Sequence, residues 1–207
     1  MTRGGVEATK RRILDFWFGD LRDGETPPSD LSKMWWASDL TIDEYIRNNF
    51  EADLIKAVEE NTAEWEETPS GTLALIILLD QFSRNIYREN PRAFSQDPQA
   101  LEIAARGIRK GFDKALHPVM RIFFYMPFVH SEDIGMQKRS LDLFRGLEKE
   151  FGTPPELAEM LSTCRDYAER HYAVVERFGR YPHRNRILGR QSTPEEVEFL
   201  KQPGSSF

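Results

Sequence analysis

Apolar residues recur along most of this chain at intervals of three and four, the spacing that puts side chains on one face of an α-helix. The pattern covers Thr9 to Phe18 and stops at Gly19. Asp20 to Asp30 holds Gly24, Pro27 and Pro28 and reads as a loop. Helical spacing returns over Thr41 to Asn49 and Phe50 to Trp65, as two helices or one. After Thr68-Pro69-Ser70-Gly71 a helix is expected from Thr72 to Tyr87. Its Leu73–Leu79 run is apolar on every side, and its Leu and Ala content favours a central helix over a buried strand.

The second half is punctuated by caps. Asp97 before Pro98 reads as an N-cap and first-turn proline, with Gly111 as the residue that closes the helix after Lys110. His117-Pro118 opens a short aromatic helix, Val119 to Met126, which Pro127 is expected to end. Ser131 is the expected cap of a helix through Glu150, and Thr153-Pro154 begins a long one to about Phe178. Thr193 with Glu196 forms a capping-box pattern around Pro194. Strand-like alternation is absent. The expected fold is all-α, with stacked antiparallel helices in a single domain over residues 1–207. Its core spans about 9–201, and the tail from Gln202 to Phe207 frays.

Against this apolar background two segments stand out. Leu79-Asp80-Gln81-Phe82-Ser83-Arg84-Asn85-Ile86-Tyr87-Arg88 and Phe178-Gly179-Arg180-Tyr181-Pro182-His183-Arg184-Asn185-Arg186 each hold Phe, Asn and two Arg four residues apart. Each follows a long apolar helical run, where polar groups must be paired or used. The chain carries 34 acidic and 28 basic residues, a formal charge of −6, which argues against a general nucleic-acid binder. Yet Arg177, Arg180, His183, Arg184, Arg186 and Arg190 follow one another with no acid among them. That stripe either meets an anion or pairs with carboxylates from elsewhere in the fold. Cys164 is the single cysteine, so neither an intrachain disulfide nor a cysteine zinc site is available, which fits a reducing cytoplasm. The N-terminus is polar to Arg12, and no apolar run approaches the ~20 residues of a membrane span.

The candidate chemistry is spread over four places. Asp80 and Arg84 are four apart, acid first, and make a favourable helical pair, either a strut or a ligand-orienting group. His130-Ser131-Glu132-Asp133 places a base beside acids at a helix start, where the acids also suit the positive helix end. His171 belongs to the inward stripe Tyr167, His171, Val174, Val175, Phe178, as a core histidine or as the floor of a site. Arg180, His183, Arg184 and Asn185 can grip a carboxylate or phosphate, with Phe178 and Tyr181 as stacking surfaces. Trp17, Trp35 and Trp36, with Phe16 and Phe18, seal the N-terminal helices to the core or line an exposed groove. No zincin spacing, nucleophile elbow, P-loop or dinucleotide fingerprint occurs, so neither a metal nor a cofactor is expected.

These stretches carry a resemblance. Ile13 to Gly19, Trp35-Trp36, Leu73 to Arg88, Ala93-Phe94 with Asp97, Phe123 to Asp133, and Phe178 to Arg190 with Thr193 to Glu196 resemble the bacterial family called domain of unknown function 924. The likeness runs from residue 13 to about 200. It implies a tetratricopeptide-like helical stack and no established activity. The sequence itself has no repeat of about 34 residues.

Three functions remain open. One is binding of an anionic small molecule or peptide by Arg84, Asn85, Arg180, His183, Arg184 and Asn185. Another is a small hydrolase or lyase with Asp80 or Glu132 as acid/base and His130, His171 or His183 as proton carriers. The third is a purely structural role, with the two segments locking the stack. Catalysis requires that a histidine and a carboxylate converge in a cleft.

Overall fold

The computed structural model describes residues 3–21 and 25–205. Residues 22–24 of the expected loop, the last two residues of the expected frayed tail and the first two of the polar N-terminus lie outside the described residues. The fold is all-α, and no strand occurs among the described residues.

Helix α1 (Arg3–Phe18) starts before Thr9 and ends where expected, at Gly19, whose φ is +59°. Helix α2 (Ser29–Trp36) begins inside the expected loop, with Pro28 at its cap position. The indole Nε1 of Trp35 donates to the Trp17 carbonyl at 2.9 Å, tying α2 to the end of α1. Helix α3 (Leu40–Glu59) is one continuous helix capped by Asp39, and Trp65 lies beyond it in a separate 3₁₀ turn, Ala63–Glu67.

The central helix begins three residues earlier than expected. Thr68 caps α4 (Pro69–Ile76) by accepting from the Gly71 N–H, and Pro69 occupies the first turn. A side chain at Gly71 would place its Cβ 2.4 Å from the Trp65 carbonyl oxygen, so only glycine lets the 3₁₀ turn approach. The helix then widens into a π-helical stretch, Ile77–Phe82, before resuming as α5 (Ser83–Ile86). Every residue from Gly71 to Ser83 is buried. Helices α1, α3, α6 (Asp97–Arg109) and α7 (Pro118–His130) surround it. Each large aliphatic side chain fully buried there contributes about 1.5–3 kcal/mol relative to exposure.

Three expected boundaries are corrected. Asp97 is the first residue of α6 rather than its cap, a position taken by Gln96, so its carboxylate is available for other partners. Helix α7 runs through Pro127 to His130. Its side chains are buried on nearly all sides, and the Gln137 amide collects the last carbonyls, Val129 at 2.7 Å and Ser131 at 2.6 Å, so tertiary contacts outweigh the proline. Asp133, not Ser131, caps α8 (Ile134–Glu150), accepting from the Met136 N–H at 2.9 Å, while the Ser131 hydroxyl accepts from the Asp133 N–H.

Helix α9 (Pro155–Phe178) packs along α8 and ends at Gly179, whose φ of +68° sends the chain back over the core. The Thr193–Glu196 capping box is present at the start of α10 (Pro194–Phe199). The tail is folded back as far as Ser205, which is buried and donates from its hydroxyl to the Leu200 carbonyl. Among the described residues no helix is long and apolar enough to cross a membrane.

Candidate functional site

The second half of the central helix, the end of α7, the middle of α9 and the loop after Gly179 enclose a cleft of about 500 Å³. Arg84, Arg88, Arg184 and Arg186 line it with a single carboxylate, Glu89, and three of the chain's four histidines, His130, His171 and His183, face it. Glu89 has a φ of +62° and is the only residue other than glycine in the left-handed region among the described residues. The carboxylates that answer these arginines, Asp80, Asp97 and Asp43, stand behind the lining.

The π-helical stretch delivers Asp80, fully buried, to the centre of this network. One carboxylate oxygen lies 2.7 Å from Nδ1 of His130 and 3.1 Å from Arg84. The other accepts from the Gln81 amide at 2.6 Å. Burial alone would push this carboxyl up, but Arg84 and then His130 overcome it and hold it at about 2. Asp80 is therefore ionised at neutral pH and can only accept, so His130 carries its proton on Nδ1 and keeps a lone pair on Nε2. Burial, followed by the Arg84 charge, pushes His130 below the ordinary histidine value and keeps it neutral.

Arg84 and Arg184 share one partner. The two terminal nitrogens of Arg84 each meet a different oxygen of Asp97 at 3.0 Å, and Nη1 also reaches the Asp80 carbonyl at 2.9 Å. Arg184 is buried, with its guanidinium carbon 4.7 Å from the Phe94 ring centre and 4.5 Å from that of Tyr181. Its hydrogen bond among the described residues is a long one, 3.4 Å from Nη1 to Asp97, and its Nε has no acceptor. Burial, and next the like charge of Arg84, push Arg184 below the ordinary arginine value. This guanidinium is stacked on aromatic rings yet under-supplied with acceptors.

His171 has its Nδ1 2.8 Å from the Tyr167 carbonyl, which fixes the proton on that nitrogen. Burial pushes it well below the ordinary histidine value. Burial and then Arg184 bring His183 down to about 4. All three cleft histidines are neutral at pH 7, so the positive charge of the lining comes from arginine alone. Asn85 also lines the cleft, though its amide donates to Asp43 at 2.8 Å, beside the two hydrogen bonds from Arg88 to Asp43 at 2.5 and 2.7 Å.

Arg180, Asn185 and Glu132 lie outside the cleft lining. Arg180 meets both oxygens of Glu196, at 2.7 and 2.8 Å. Asn185 donates to Ser192 and Glu196 and accepts from Arg190. Glu132 accepts two hydrogen bonds from Arg190 and one from the Tyr181 N–H. These groups form a lattice that fixes the loop after Gly179 to α10 and to the end of α7. Arg186 is exposed and paired with Glu89 across the cleft mouth. Of the two expected stacking rings, Tyr181 covers Arg184, whereas Phe178 packs on Phe199.

Gln81 and Phe94 line the cleft, and Asp97 and Asp43 stand behind it, without having been singled out as chemistry in the sequence. Gln81 lies within the first look-alike segment and Phe94 and Asp97 within the family-like stretches, and the proline after Asp97 directed it toward a capping role; Asp43 carried no signal. Among the described residues no set of three or more His, Cys, Asp or Glu side chains is arranged to hold a metal ion.

A family model described as a bacterial protein of unknown function, DUF924, matches residues 13–204. A solved structure of a protein of unknown function from Agrobacterium tumefaciens is 35% identical, with a TM-score of 0.80, covering 95% of this chain and 98% of that one. No curated protein matches the chain.

Proposed function

Because the chain belongs to the bacterial DUF924 family, whose description carries no activity, we propose its function from the cleft itself: it binds a small anionic molecule through Arg184. The observation that carries this reading is the state of that side chain. It is a buried guanidinium, stacked between Phe94 and Tyr181, with one long hydrogen bond to a carboxylate that Arg84 already holds at two points. An incoming carboxylate or phosphate supplies the acceptors this arginine lacks, in the bidentate geometry that a guanidinium edge favours. A cleft of about 500 Å³ suits a small molecule. Arg84 contributes charge and position more than donors, because each of its terminal nitrogens already donates to Asp97. The single cysteine is consistent with a cytoplasmic setting.

Calorimetric titration with phosphate and small carboxylates tests the reading. Saturable binding by the wild type, lost in Arg184→Gln, supports it. Binding that survives the substitution, or no binding by the wild type, sinks it.

The His130–Asp80 pair favours a second reading, in which the bound anion is a substrate. The ionised, buried Asp80 orients His130 so that a neutral Nε2 can accept a proton, the arrangement of a general base beside a stabilising arginine pair. His130→Gln would then abolish turnover in a screen of anionic esters and lyase substrates while sparing binding. Binding without turnover in the wild type would leave the ligand-binding reading alone.

A further inference from the structure

A second cavity, of about 550 Å³, adjoins the arginine cleft. The two meet at Trp36, Met126 and Tyr167, which line both. Beyond them the walls are largely apolar, with Ile122, Val129, Phe144, Met160 and Cys164, and carry the hydroxyl residues Ser32 and Thr163. Burial pushes the Cys164 thiol up to about 12, the mark of a dry surrounding. Glu156 and Glu159 stand at the other side, and both are exposed. The junction is notable for Trp36. Its indole lies nearly parallel to Phe123, at 15° and 5.9 Å, yet the residue is 46% exposed although its neighbour Trp35 is sealed in the core. A large ring left half in water between two cavities is a surface that a ligand would cover.

We infer that the two cavities form one elongated site for an amphipathic anion, with its head group at Arg184 and a flexible apolar chain running past Trp36 into the Met160–Cys164 cavity. This deepens the anion-binding reading and rests on it. The charge pattern sets the direction. Arginines at one end attract the head group, and the two glutamates at the other repel it. The chemistry of the far cavity sets the chain's character. A sugar or peptide there would face few partners for most of its polar groups, whereas a hydrocarbon chain matches the largely apolar walls. The thioethers of Met126 and Met160 adapt their shape to a chain of variable length.

The test titrates the full chain with phosphate and with straight-chain carboxylates of increasing length, each below its micellar concentration. Dodecanol serves as the neutral control. Affinity should rise by roughly fourfold per methylene until the cavity is full, with a blue shift of Trp36 emission in the wild type that butyrate does not produce. Met160→Trp, which fills the cavity, should abolish the dependence on chain length and leave phosphate and butyrate binding intact. Arg184→Gln should weaken the whole series by a common factor. Short anions that bind with no gain from chain length would overturn the inference and leave the anion site standing. Dodecanol binding as tightly as the carboxylate of equal length, or long chains held equally well by Arg184→Gln, would also overturn it. Failure of every anion to bind the wild type would remove both readings. If Met160→Trp does not fold, the length series and the emission shift in the unmodified chain decide the question.

Discussion

Arg180 and Arg184 sit four residues apart in one segment and have opposite circumstances. Arg180 meets both oxygens of Glu196, and its Nη2 also donates to the Gln191 carbonyl at 2.9 Å. Arg184 is more deeply buried, is stacked between two rings, and has one contact at 3.4 Å. The lattice around Arg180, Arg190, Glu132 and Glu196 is closed on itself. The network around Arg184 is open on the side that faces the cleft. Burial therefore does not separate a strut from a binding group here. The supply of acceptors does, because an ion held without enough partners costs stability that a ligand can return.

The sharpest way to test that contrast is at Arg84, a half-buried arginine that is well supplied with partners. Arg84→Gln removes the positive charge beside the buried Asp80 carboxylate and leaves Asp97 without its two-point partner. Loss of about 3–5 kcal/mol in urea unfolding is expected, as for breaking a buried ion pair. A loss under about 1 kcal/mol would mean that Arg84 is no strut.

Acidification probes the open network next. The folded cleft lowers the pKa of His130 and His171 and brings that of His183 to about 4. Above pH 6.5 both folded and unfolded chains hold these groups neutral, and stability is unaffected. As pH falls below that value the unfolded chain takes up protons that the folded cleft refuses, so stability declines, for His183 until about pH 4. The melting temperature should fall across this window, and His183→Asn should flatten the fall. A profile unchanged by that substitution would contradict the depressed value.

Arg180→Gln should lower the melting temperature by less than Arg84→Gln does, since Arg180 is partly exposed. It should also leave anion affinity unaltered, because the side chain lies outside the cleft lining. Smallest in stability is Arg184→Gln, for which an unchanged or higher melting temperature is expected, with loss of anion binding. A drop as large as that of Arg84→Gln would place Arg184 among the struts and close the contrast.

Much of the helical framework was legible because its signals are local. The Thr193–Glu196 box, Gly19, Gly111 and Gly179 are read from a few neighbouring residues, and all act as their types suggest. Asp80 and Arg84 were legible as a pair because helical spacing alone brings them together. The failures lie where distant partners decide. Pro127 reads as a breaker until Gln137 and the surrounding helices are in place. Asp97 reads as a cap until Arg84 and Arg184 arrive from 13 and 87 residues away. Nothing within the second segment distinguishes Arg180 from Arg184, because the difference is made by Glu196 on α10 and by Phe94 far upstream.

The widened turn at Ile77–Phe82 has a consequence for the chain as a coded object. A π turn admits one residue more than an α turn, so everything after Phe82 is rotated by about 100° from where an uninterrupted helix would carry it. Arg84 and Asn85 owe their direction to that phase shift as much as to their identity. A chain that regularised this stretch to an α-helix at the same length would retain every arginine, aspartate and histidine described above and aim those after Phe82 at the wrong neighbours. A chain that regularised it and also lost one residue other than Asp80 would turn Arg84 and Asn85 back toward their present partners. The π turn is thus part of the site, and a one-residue deletion there should be tolerated better than a one-residue insertion.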